Sequence, residues 1–369
     1  MRPETETELA EMIAAAQGPL AIRGGGTRTI GQKVAGEVLS LAGLSGISLY
    51  EPGALTLVVK AGTPLADVEA ALAAEGQRLP FEPMDHRALL GTEGIPTIGG
   101  VVAANVSGPR RVQAGACRDS LIGVRFVDGM GTILKNGGRV MKNVTGYDLV
   151  KLLAGSFSTL GVLSEVSFKV LPIPDATKTV RAYGLDDVTA VRAMSAALGS
   201  PFEVNGAVHH IDRQGGKSVT MLRVEGFTDS VAYRADALCK LLGGNGDWQV
   251  ADADWLWARD VQPFVGAPGD VWRLSIKPSD APGLVARVAP LDALYDWGGG
   301  LVWLRVAEGT DLRAALGAFS GHATLIRASD ETKARLGVFH PEPAPLQNIA
   351  NGLRGKFDPR GILNPGLMG

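Results

Sequence analysis

The sequence predicts an α+β fold with two differently built parts. Three observations carry that expectation. Up to about residue 172 the strands are short and glycine separates them, so that residues 18–161 hold 25 of the chain's 49 glycines. At Pro172-Ile173-Pro174 the character changes, as closely spaced prolines favour a boundary. Beyond it, strands alternate with helices of about 10–15 residues, the pattern of an α+β layer with helices on one face.

The elements follow in order. Leu9, Met12, Ile13 and Ala16 recur at helical spacing in an acidic first segment. Residues 19–23 form a short apolar strand that runs into Gly24-Gly25-Gly26-Thr27. Residues 55–60 are extended. Thr63 is then placed to cap a helix, with Pro64 as its first residue, Leu65, Val68 and Leu72 on its buried face and Gly76 at its end. Residues 121–127 read as a strand, Gly129-Met130-Gly131 as a turn, 147–154 as a helix and 160–171 as a long strand. Three passes of strand and helix follow: strand 178–183, helix 186–198 and strand 203–211; strand 217–225 and helix 229–242; strand 271–276, helix 279–289 and strand 301–306. All six tryptophans lie between Trp248 and Trp303. Residues 346–369 hold a helix and two Pro-containing turns, Asp358-Pro359 and Asn364-Pro365, which favour a docked tail.

Composition narrows the function classes. Glycine, 49 of 369 residues, stands well above the typical ~7%. Hydrophobic residues at 46% exclude a disordered glycine tract, and the lack of a three-residue period excludes collagen. A formal net charge of -2 excludes a global field toward nucleic acid. Cys117 and Cys239 are too few for a disulfide framework, a structural metal site or a Cys₄ cluster. The acidic start argues against a secretory signal, and no apolar run reaches the ~18–20 residues of a membrane span.

Single motifs are weak. Gly24 to Thr27 can crowd backbone N–H groups around an anion, but Thr29 breaks the dinucleotide pattern GxGxxG. Gly216-Lys217-Ser218 lacks the upstream glycine of a P-loop, and the sequons at Asn105 and Asn143 carry no secretory context. Residues 110–151 carry eight Lys/Arg against Asp119, Asp128 and Asp148. That run suits a solvated face, a pyrophosphate environment, an acidic substrate or a partner surface. His209 and His210 are adjacent on a strand and point apart, so they do not pair on a metal. His86, in a loop between Pro83 and Gly91, is the histidine placed to line a cleft.

Read in order, the glycine blocks resemble the PCMH-type FAD-binding domain of the vanillyl-alcohol oxidase superfamily. Arg23-Gly24-Gly25-Gly26-Thr27 looks like its pyrophosphate loop, and Thr97 to Gly108 is similar to its second flavin-binding stretch. Asp119 to Val124 and Gly155 to Leu163 match its later segments. Gly108-Pro109-Arg110-Arg111, Arg118-Asp119, Gly137 to Leu149 and Phe357 to Gly366 sharpen the resemblance to the FAD-binding subunits of bacterial glycolate oxidase.

The resemblance implies a two-part FAD-binding domain over 1–173, an α+β (ferredoxin-like) cap over 174–344, and a segment 345–369 that returns to the FAD domain. It implies noncovalent FAD held by Arg23, Gly24, Gly25, Gly26, Thr27, Pro83, Thr97, Ile98, Gly99, Gly100, Ala103, Asn105, Gly108, Gly115, Asp119, Gly161, Val162 and Asn364. It further implies oxidation of glycolate to glyoxylate beside a second FAD-binding subunit and an iron–sulfur subunit. The setting would be cytoplasmic, with membrane contact only through partners. A self-sufficient FAD-linked 2-hydroxy-acid dehydrogenase and a non-enzymatic assembly subunit with a vestigial site stay open. Related hydroxy-acid dehydrogenases carry a His-x-Gly-Asp-Gly-Asn-x-His stretch; residues 298–305 stand in its place without histidine or aspartate. A hydroxy acid needs a base for its hydroxyl proton and a cation for its carboxylate. Arg305 and His86 are the catalytic candidates, and no convincing base is evident. Arg28 stands where the family commonly has serine.

Overall fold

The structure is a computed structural model and describes residues 1–138, 146–212 and 216–368. Helix α1 (Glu6–Ala15) buries Leu9, Ala10 and Ile13 and is capped by the Thr5 hydroxyl, which accepts from the Glu8 amide. Strands β1 (Leu20–Arg23) and β2 (Glu37–Ser40) pair in parallel. They are followed by β3 (Ile47–Glu51), β4 (Thr56–Lys60), α2 (Leu65–Ala74) and β5 (Gln77–Arg78). Pro64 rather than Thr63 occupies the cap of α2. The Thr63 hydroxyl instead donates to the Lys60 carbonyl at 2.7 Å and accepts from the Gly46 amide at 2.9 Å, so the expected cap residue ties two loops together.

Short helices α3 (Arg87–Leu90), α4 (Ile98–Ala103), α5 (Arg111–Ala114) and α6 (Cys117–Ser120) fill the glycine-rich stretch. Then come β6 (Leu121–Val127), β7 (Ile133–Gly137), α7 (Leu149–Leu153), β8 (Val162–Lys169) and β9 (Leu171–Pro172). Among the described residues β3, β4, β8, β6 and β7 lie side by side in that order, all antiparallel. Residues 139–145, within the stretch that sharpened the family resemblance, lie outside the described residues.

The second part is a tandem duplication. Its first copy is β10 (Ala176–Tyr183), α8 (Asp187–Leu198), β11 (Gly206–Asp212), β12 (Lys217–Gly226), α9 (Thr228–Leu242) and β13 (Trp248–Ala251). After α10 (Leu256–Arg259) the second is β14 (Asp270–Ile276), α11 (Ala281–Val288), β15 (Asp292–Asp296), β16 (Leu301–Val306), α12 (Leu312–Leu316) and β17 (Gly321–Arg327). Each is a βαββαβ unit with the ferredoxin-like strand order. The two join through β11 and β15 into one antiparallel eight-stranded sheet, β13-β10-β12-β11-β15-β16-β14-β17. The three passes expected from sequence are therefore two. Strands β13, β15 and β17 escaped notice because two are only four or five residues long and Asp292 and Asp296 bracket one of them.

One face of this sheet carries the four helices. Trp272, Tyr295 and Leu304 pack there with Met194, Leu238 and Val285. The other face lies against the first part: Val271, Leu294, Leu301, Trp303 and Ile326 share one core with Leu57, Phe126 and Phe168. Helices α13 (Asp330–Leu336) and α14 (Ala344–Phe357) lead into a tail that returns to the start. Ile362 and Leu363 are buried with Leu9, Ile13 and Leu20, and Leu363 bridges Leu20 in parallel. The docked tail expected from the two prolines is present.

Candidate functional site

The loop after β1 has little room for side chains. A Cβ on Gly24 would lie 2.3 Å from the Thr97 hydroxyl, and one on Gly25 only 1.6 Å from the Ile95 carbonyl oxygen. Gly26 adopts φ +69°, a left-handed conformation that suits glycine. Facing this loop is the start of α4, where the Thr97 hydroxyl accepts from the Gly100 amide at 3.3 Å and the Gly99 amide donates to Ala61 at 2.8 Å. From the tail, the Asn364 carbonyl oxygen accepts from the Ile22 amide at 2.8 Å, and its Nδ2 donates to Phe157 at 2.8 Å. Asn364 itself sits at φ +45°.

Between these elements lies a cleft of about 440 Å³. It is lined by ten of the residues expected to hold cofactor: Arg23, Gly24, Gly25, Gly26, Thr27, Thr97, Gly99, Gly100, Ala103 and Asn364. The other eight do not line it. Ile98 and Val162 are fully buried in core, Pro83 is buried, and Gly161 abuts the Phe126 ring. Asn105 accepts from the Arg118 amide through its side chain, and Gly108 abuts the Glu82 carbonyl. Asp119 accepts from the Ala116 amide, with Gly115 packed over it. The described contacts of these positions are with the protein itself.

Three cations at the cleft, Arg28, Lys33 and Lys333, were not foreseen as ligands. Lys333, from α13, donates to the Thr29 carbonyl at 3.4 Å. Arg28 reaches the cleft with a buried Nε that has no hydrogen-bond partner, and burial, opposed in part by Asp85, lowers its pKa to about 10. A glycine cradle flanked by Arg23, Arg28, Lys33 and Lys333, with an unmade hydrogen bond on Arg28, fits a pyrophosphate.

Behind the cleft the two parts meet across charged side chains. Glu225 accepts from Arg110 at 2.6 Å, Arg78 at 2.8 Å and Asn205 at 2.8 Å. Glu82 accepts from Arg223 at 2.9 Å and pairs with Arg110 at 3.1 Å. Burial alone would raise Glu225, but the hydrogen bonds from Arg110 and Arg78 hold its pKa at about 2. The basic run from Arg110 is therefore not one solvated face: Arg110 is buried in this network, and Arg111 lies over the Trp297 ring.

His86 is buried, with an Nδ1 that lacks a hydrogen-bond partner. Burial and then the Arg28 charge push its pKa down to about 3, so it is a neutral ring at physiological pH. Arg305 is engaged elsewhere: it donates to the Pro268 carbonyl at 3.0 Å and lies 3.9 Å from Asp292, away from the cleft. Burial raises the carboxyl of Asp296 to about 7 against a bond from the Trp297 amide, although Asp296 does not line the cleft. Sequence reasoning missed it because an aspartate ending a short strand carries no local mark of burial.

The fold and the cleft define a PCMH-type flavoprotein of the oxidoreductase class. A family model described as "FAD binding domain" matches residues 1–137. Glycolate oxidase subunit GlcE of Escherichia coli K12 is 38% identical over 356 residues, which is 95% of this chain and 92% of that protein. Glycolate oxidase subunit GlcD of Bacillus subtilis is 34% identical over 192 residues, 49% of this chain and 39% of that one. The solved structure of an alkyldihydroxyacetonephosphate synthase superposes with TM-score 0.72 at 14% identity, covering 99% of this chain and 76% of the other, a likeness of fold alone. The chain belongs to the family of FAD-binding glycolate oxidase subunits. Among the described residues no helix is long and apolar enough to cross a membrane.

Proposed function

We propose that this chain is the FAD-binding subunit of a complex that oxidises glycolate to glyoxylate, with electrons passing from FAD to a partner iron–sulfur subunit beside a second FAD-binding subunit. The observation that carries this reading is the cleft: a loop without room for side chains, a set of cations that includes Arg28 and Lys333, and the returning Asn364. When bound there, FAD supplies the two-electron acceptor. The amides of Gly24 to Thr27, with Arg28 and Lys333, hold its pyrophosphate. Asn364 fixes the loop by bonding Ile22 and Phe157. Attachment is noncovalent, in keeping with a loop that lacks His and Cys and with the burial of Cys117 in the core. The domains run 1–173, 174–344 and 345–369, a division supported by the two sheets and the returning tail. The setting is cytoplasmic, and any membrane contact comes through partners.

The test is the visible spectrum of purified protein before and after anaerobic glycolate, alone and with its partner subunits. Flavin absorbance that bleaches in the assembled complex supports the reading. Protein that cannot be loaded with FAD, or whose flavin stays oxidised in the complex, overturns it. Bleaching of the chain by itself favours a self-sufficient dehydrogenase.

A further inference from the structure

We propose that Arg273, with Arg111 beside it at the Trp297 ring, is the side chain that binds the carboxylate of the small hydroxy acid. This rests on the oxidase reading above. Strand alternation aims Arg273 at the first part of the molecule. Its neighbours Trp272 and Leu274 point into the helix layer, whereas Val271 and the cross-strand Trp303 share the interface core.

Charge matching at this interface is uneven. Arg78, Arg110, Arg223 and Arg259 each meet Glu82, Glu225 or Asp260 at 2.6–2.9 Å. Among the described residues Arg28, Arg111 and Arg273 have no carboxylate within ion-pair reach, and Arg273 has no protein hydrogen bond either. Instead the Arg111 guanidinium carbon lies 4.3 Å from the Trp297 ring centroid and that of Arg273 lies 5.3 Å from it, with Trp303 at 6.0 Å from Arg273. Two like charges at one indole repel, and the indole's quadrupole offsets only part of that cost. An anion resolves it.

Two further observations point to the same place. His86, which the charges of both Arg28 and Arg273 reach, leaves Nδ1 unbonded although it is buried. Trp297 is held at φ +52°, a conformation costly for a bulky residue, and its Nε1 donates to Gly108 at 3.0 Å. The ring is thus held in position between the two parts. A planar carboxylate matches a guanidinium fork in a bidentate way, which distinguishes it from a phosphate taken by the glycine loop. Arg273 stays charged at neutral pH, since burial and then Arg111 lower it only to about 10.

The test uses FAD-loaded full-length chain and oxalate, a carboxylate probe without a hydroxyl to oxidise, followed by tryptophan fluorescence and by perturbation of the flavin spectrum. Arg273→Met should raise the oxalate Kd and the glycolate KM by about tenfold or more. Arg273→Lys should fall between, and Lys356→Met on the exposed face of α14 should match wild type. Unaltered oxalate binding in Arg273→Met, or in Arg273→Lys where the methionine variant does not fold, overturns the assignment. So does inorganic phosphate that displaces oxalate at equal concentration. The two readings fail separately. Arg273-dependent oxalate binding without glycolate bleaching in the assembled complex sinks the oxidase reading and keeps the site. Glycolate bleaching with the same KM in Arg273→Met keeps the oxidase and removes the site.

Discussion

The Trp297 indole donates its Nε1–H to the carbonyl of Gly108 at 3.0 Å, joining the eight-stranded sheet to the glycine-rich part. The bond spans 189 positions of sequence. Trp297→Phe keeps one aromatic ring but removes the fused pyrrole and its donor, leaving the Gly108 carbonyl without this partner. The expected cost is about 1 kcal/mol, read as a lower urea midpoint with an unchanged m-value. An unchanged midpoint would show that water replaces the indole freely.

Glu225 is the carboxylate on which Arg78, Arg110 and Asn205 converge. Glu225→Gln removes the charge but not the volume, and it turns one of the two acceptor oxygens into an NH2 donor facing the donors of Arg78, Arg110 and Asn205. Loss of about 3–5 kcal/mol is expected, as for a buried pair deprived of one partner. Thermal unfolding that moves no further than in an exposed variant such as Glu203→Gln would contradict this.

Gly25→Ala must displace the Ile95 carbonyl, which the new carbon would approach to 1.6 Å. Gly53→Ala meets nothing within 4 Å. The first should cost about 3 kcal/mol and lower the flavin-to-protein absorbance ratio, and the second should do neither. Equal flavin content in both would argue that the loop has slack.

Asn364→Ala removes one acceptor and one donor from between Ile22 and Phe157. About 2 kcal/mol should be lost, with faster release of flavin on dilution. Asn364→Gly eases the positive φ yet restores neither bond, so it should also fail. Recovery in the glycine variant would place the effect in backbone strain.

Asp296 has its pKa raised by burial to about 7. Between its unfolded value near 3.9 and about 7 the folded protein holds a proton that the unfolded chain has released. Stability therefore falls as pH rises through that window, and the loss is complete above it. Asp296→Asn should gain on wild type as pH goes from about 4 to 8, by up to a few kcal/mol. Parallel stability–pH profiles would show that the carboxylate is better solvated than its burial implies.

Ten of the residues expected to hold cofactor come together at one cleft because their logic is local. A strand followed by three glycines and Asn364 before a proline each carry their geometry in neighbouring residues. The charged interface was not legible. Arg273 and Asp296 lie on strands whose inner face meets another sheet, and alternation alone cannot tell that face from solvent. Arg110 and Arg111 looked like one basic run, yet the first is matched by glutamates 28 and 115 positions away and the second lies at a tryptophan. The duplication was hidden for a related reason: its copies share strand order, with no repeated motif evident in the sequence.

The tail that docks on β1 also bears on the order of events during synthesis. The amide of Ile22 waits for Asn364, 342 positions later, and Leu20 waits for Ile362 and Leu363. Both copies of the βαββαβ unit leave the ribosome before that partner exists. The glycine loop at the end of β1 therefore stays unfastened until residues 362–364 arrive. On the function proposed above, flavin capture follows that docking, and a ribosome stalled before residue 362 would carry no tightly held flavin.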